Sequence, residues 1–194
     1  MRITVEHPFL LSCGLLAALF LDGTGLLHCC VWAMLLHEGG HILLYLLLLR
    51  RAPVLRLRLG GAALQWAALR AAPWQEVCIL MAGPLANLLA AGGCALAVRH
   101  TARYALYFFG GANLLLAAFN LLPMGFLDGG RLLELLLSCF FAPRRVWGIC
   151  GGVQWLCLAA LGGLLVTSVT GWWSRFALLC FLGYYCARSF FTKS

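Results

Sequence analysis

From Thr24 to Leu49 the chain carries a single charged side chain, Glu38, and comparable apolar runs occupy residues 8–21, 74–98, 104–122, 146–169 and 172–191. A bilayer core demands roughly 20 consecutive apolar residues per spanning helix, so these runs predict an all-α membrane protein with about six transmembrane helices. Of the 194 residues 63% are apolar and 10% charged, too few polar side chains to cover a water-soluble globule. The expected organisation is one transmembrane domain over residues 1–194, with no C-terminal regulatory domain.

Two places depart from plain spans. Residues 127–141 continue the fourth run beyond Pro123 and Gly125, which predicts a helix that breaks and resumes. Non-helical backbone at membrane depth is tolerated only where it is buried in protein or lines a polar cavity, since unpaired amides in hydrocarbon are costly. Between the second and third runs, Val54 to Leu59 alternates apolar with basic residues, Gly60-Gly61 follows, and Ala62 to Trp66 comes after. That pattern predicts a membrane-associated β-hairpin, and the same arginines suit a loop lying on anionic headgroups.

The net charge of +8 does not point to nucleic acid, because the basic residues sit singly or in pairs beside apolar runs and form no stripe. Their placement is topological. With six spans, one side receives eleven of the 14 Lys and Arg residues and the other only Arg99, Arg103 and Arg175. Both termini and the hairpin are therefore expected in the cytoplasm, in a multi-pass protein of the cell membrane. Ten cysteines include no CxxC pair and lie mostly within apolar segments, as packed thiols do. Leu10-Leu11-Ser12-Cys13 resembles a lipoprotein cleavage box, but the apolar run before it is too short for a signal peptide.

His37-Glu38-Gly39-Gly40-His41 is an HExxH motif on the second predicted helix. Residues four apart lie on one helical face about 6 Å from each other, so two imidazoles can share one zinc ion. Glu38, beside them, is placed to take a proton from a water that the metal has acidified. Ionisable side chains at membrane depth are costly and mark function, and three stand here within five residues. An open catalytic zinc site needs a third protein ligand. Asp22 and Asp128 are the two aspartates of the chain, and Asp22 lies near the far end of the helix. Asp128, after the broken stretch and before Gly129-Gly130, is the better candidate.

The second-helix HExxH, Ala82-Gly83-Pro84-Leu85-Ala86-Asn87, and Asn120-Leu-Leu-Pro123 with Leu127-Asp128-Gly129-Gly130 together resemble the site-2 protease family of intramembrane metalloproteases. Val5-Glu6-His7-Pro8-Phe9-Leu10 and the run from Asn120 to Ser138 are similar to the branch that processes a membrane-tethered pro-sigma factor during bacterial sporulation. The resemblance implies zinc held by His37, His41 and Asp128, Glu38 as general base, and Asn120 orienting the substrate or stabilising the oxyanion. Asn87 matches a common family position, whereas the plain structural reading of Gly83-Pro84 is that it shapes a helix-packing contact. Gly39 stands where the family has leucine, which puts two glycines beside the metal and loosens the helix by roughly 1 kcal/mol apiece. The expected partners are the bilayer, a membrane-protein substrate and a membrane inhibitor protein, with no nucleic acid.

Two rivals belong to other classes. A metal-ion transporter could use the same histidines and aspartate, but it has no need of Glu38, and no inverted repeat is evident. A catalytically inactive relative that binds membrane clients would lack a chemical group, and every group is present.

Overall fold

The computed structural model describes residues 2–5, 19–20, 22–50, 54–58, 61–65, 71–101, 103–125 and 127–168. Five helices are among them: α1 (Leu26–Leu49), α2 (Pro73–Val98), α3 (Tyr104–Asn120), α4 (Asp128–Ser138) and α5 (Pro143–Ser168). Three have stretches long and apolar enough to cross a bilayer: Leu26–Leu49, Pro73–Val98 and Pro143–Gly163. The expected count of six is therefore three among the described residues. The runs expected at 8–21 and 172–191 lie almost wholly outside those residues, and α3, at 17 residues, is about 25 Å long and falls short of a full span.

Three short strands form one sheet in the order β1 (Arg2–Val5), β2 (Val54–Arg58), β3 (Gly61–Gln65). β2 and β3 run antiparallel, with Val54 opposite Gln65 and Arg58 opposite Gly61. β1 lies parallel to β2 with Arg2 opposite Val54, a pairing that joins the chain start to the segment after α1.

The chain divides into two compact units, Met1–Leu121 and Leu122–Ser194. In the first, α1, α2 and α3 pack on one another. The buried residues of α1 are Ala33, His37, His41 and Tyr45, spaced four apart along one stripe, whereas Trp32, Leu43 and Leu47 are more than 60% exposed. Polar groups inside and bare leucines outside invert the order of a water-soluble helix and match one whose outer solvent is lipid. The start of α1 is held by Asp22, and Gly25, at φ 73°, makes the left-handed turn into it. Pro73 opens α2 at its first position, where no amide partner is needed, and Gln75 accepts the Ala72 N–H at 2.9 Å.

α1 stays continuous through Gly39 and Gly40, and the two glycines have different surroundings. Nothing crowds Gly39, whereas a Cβ on Gly40 would lie 2.6 Å from Ala82 O. Gly40 thus permits close approach of α2, as small residues do between membrane helices.

In the second unit, Met124, Leu127 and Leu158 form a buried cluster packed by Leu122, Cys157 and Leu161. The helix break is a set of tight turns: Met124 N–H donates to Leu122 O and Leu127 N–H to Met124 O, both at 2.8 Å. Gly125 N–H reaches Gln154 Oε1 on α5 at 3.4 Å. A Cβ on Gly130 would lie 2.7 Å from Gly125 N and closer still to the Met124 carbonyl, so only glycine lets the turn fold back on α4.

Candidate metal centre

His37 and His41 are 4% and 3% exposed and face each other edge to face, their ring centroids 4.7 Å apart. Each ring is held through Nδ1. His41 Nδ1 lies 2.7 Å from the Ile79 carbonyl, and His37 Nδ1 lies 3.1 Å from Asn87 Oδ1. A backbone carbonyl can only accept, so the neutral ring of His41 carries its proton on Nδ1 and has its lone pair on Nε2. The Asn87 oxygen imposes the same tautomer on His37. The two Nε2 atoms then meet at 3.2 Å. Two lone pairs this close repel unless a cation lies between or beside them, so the pair fits a divalent metal such as zinc and fits poorly as two packed core imidazoles.

Asn87 and Asn113 are wholly buried. The Asn87 NH2 donates to Ala33 O at 3.2 Å and to Asn113 Oδ1 at 3.0 Å, and the Asn113 NH2 donates to Phe109 O at 2.8 Å. Asn87 therefore anchors the His37 ring, a more specific role than a family match alone implied. Asn113 was not singled out by sequence reasoning. The available signal was an amide within an apolar helix, which must find a partner, but nothing in the sequence says which.

The remaining expected site residues stand as follows. Glu38 is half-buried on α1, next to His37. Asn120 ends α3, and its NH2 donates to Leu116 O of the same helix at 3.1 Å. Asp128 belongs to the second unit, half-buried at the first position of α4, where the partial positive charge of the helix start favours a carboxylate.

Asp22, the other aspartate, is engaged in capping. Its Oδ2 accepts Leu27 N–H at 2.8 Å and His28 N–H at 3.2 Å and faces His28 Nδ1 at 3.0 Å, while Oδ1 accepts the Thr24 hydroxyl at 2.7 Å. The Thr24 hydroxyl first, and then the His28 ring, hold its carboxyl well below the usual carboxylate range. The described cysteines are all free thiols.

Residues 91–150 match the profile of Peptidase family M50. That stretch contains Asn113, Asn120 and Asp128 but not His37 to His41, so the match and the HExxH motif are independent observations. The fold is similar to that of a site-2 protease from Methanocaldococcus jannaschii, with a TM-score of 0.64 and 21% identity over 96% of this chain and 89% of that one. No curated protein matches the sequence. The family match and the paired histidines support a metalloprotease.

Proposed function

We propose that the chain is an intramembrane zinc endopeptidase of the site-2 type, in which His37, His41 and Asp128 hold the metal. The observation that carries this reading is the convergence of two buried Nε2 atoms at 3.2 Å, with both Nδ1 atoms already committed. Zinc bound there supplies Lewis acidity, polarising a carbonyl and making water acidic enough to lose a proton near neutral pH.

The other roles fall to the chain itself. Glu38 takes the proton of the attacking water on its carboxylate and passes it to the departing amine nitrogen. Asn120 donates to the oxyanion of the substrate, because its amide carries a second N–H besides the one on Leu116 O. The sheet order leaves β3 at an edge among the described residues, and that edge pairs with a locally unwound substrate segment. The substrate in this reading is a membrane-tethered protein, and resemblance favours a bacterial pro-sigma factor. Both termini lie in the cytoplasm.

The decisive experiment separates chemistry from metal binding. Glu38→Gln keeps size and hydrogen bonding but cannot take up the proton, so zinc content in detergent stays near that of the wild type while cleavage of a co-expressed tethered pro-sigma factor falls by orders of magnitude. Asp128→Asn lowers both zinc content and cleavage. A Glu38→Gln protein that cuts at a comparable rate overturns the mechanism, and one that loses its zinc overturns the assigned ligands.

A further inference from the structure

We propose that Asn113 is a positioning residue for the metal centre, acting through Asn87 to fix the tautomer of His37; this rests on the metal-centre reading above. The argument is a chain of forced polarities. Phe109 O can only accept, so the Asn113 amide turns its NH2 toward that carbonyl at 2.8 Å and presents Oδ1 to Asn87. Asn113 Oδ1 and Ala33 O then both draw the NH2 of Asn87, at 3.0 and 3.2 Å. The Asn87 oxygen is left facing His37 Nδ1 at 3.1 Å. An oxygen at that place requires N–H on Nδ1, and the lone pair of His37 stays on Nε2, 3.2 Å from its counterpart on His41.

The reverse orientation shows what the relay prevents. A flipped Asn87 amide would offer an NH2 to His37 Nδ1, which then must accept, so the ring proton would move to Nε2 and block the metal. Both asparagines are wholly buried, so bulk solvent does not reach them to substitute for a lost acceptor. Removing Asn113 Oδ1 leaves Ala33 O as the one acceptor on the Asn87 NH2 among the described residues and weakens the preference for the productive orientation. In this relay the influence of Asn113 travels through the Asn87 amide.

The test is a double-mutant cycle on the full chain in detergent, with zinc affinity read by competition against a chromophoric chelator and melting of the metal-free protein measured alongside. Asn87→Leu lowers zinc affinity about 10–100-fold, and Asn113→Leu lowers it by less, about threefold to tenfold. In the Asn87→Leu background the Asn113→Leu change causes no further loss of affinity, because the relay is already cut. Asn113→Ala repeats the cycle with a smaller side chain if leucine does not fit the site. A merely structural role for Asn113 would lower the melting temperature of the metal-free protein and reduce zinc affinity by the same factor in both backgrounds. That additive result, or wild-type affinity in Asn113→Leu, overturns the relay while leaving the metal centre intact. A wild-type protein that takes up no zinc overturns both.

Discussion

Gly83 on α2 lies so close beneath the His41 ring that a side-chain carbon on it would fall 2.7 Å from His41 Cε1, and 2.8 Å from His37 Cε1. Real carbon atoms do not approach that closely, and both neighbours are rings tied down through Nδ1, so neither can swing aside without losing its hydrogen bond. Gly83→Ala is therefore expected to displace an imidazole, cutting zinc affinity by about tenfold or more and cleavage in proportion. Chelator competition on the purified variant checks this; wild-type affinity in Gly83→Ala would mean that the rings are not where the structure puts them.

The sheet offers a second test. Leu57 lies in β2 and pairs with Val5 on one side and Ala62 on the other. Proline there removes an N–H and distorts a central strand, so Leu57→Pro should abolish cleavage while zinc content is retained. Unchanged cleavage by a stably expressed Leu57→Pro variant would argue against substrate capture at the sheet.

Asp22 gives the start of α1 a pH dependence. Its carboxyl is held below its unfolded value, near 3.9, so the stabilisation it contributes is fully present above that value. It is lost as pH falls through the lower value of the folded state. The difference in melting temperature between wild type and Asp22→Asn should shrink as the pH falls below about 4. A difference that keeps growing below that pH would contradict the cap.

Topology is accessible to reporter fusions. In the proposed six-span topology eleven lysine and arginine residues fall on one side and three on the other, a bias that predicts both ends in the cytoplasm. A fluorescent reporter at either end should therefore glow, and a periplasmic phosphatase at either end should stay inactive. Ends found on opposite faces would require an odd number of spans.

What could be read in advance followed range along the chain. The His37–Glu38–His41 spacing is local, and one helical turn carries it into space unchanged. The helix break at Pro123 and Gly125 was legible for the same reason, since proline and glycine act on their own backbone. The β1 strand was not, because its partner Val54 lies 52 residues from Arg2 and nothing local announces a parallel pairing. Asn113 was missed on similar grounds: it meets Asn87 across 26 residues of sequence. The use of Asp22 depended on a left-handed turn at Gly25 that bends the chain so its carboxylate can reach back to the helix start. Gly40 shows the opposite failure, where a residue expected to loosen a helix instead makes room for its neighbour.

The anchoring of both imidazoles on α2, one through a backbone carbonyl and one through Asn87, has a mechanical consequence. Sliding α2 along α1 by a single residue, about 1.5 Å, would part His41 from Ile79 O, His37 from Asn87 Oδ1 and Asn87 from Ala33 O together. The three contacts therefore resist relative sliding of the two helices as a set, and a crosslink stapling α1 to α2 in this register should leave zinc affinity unchanged.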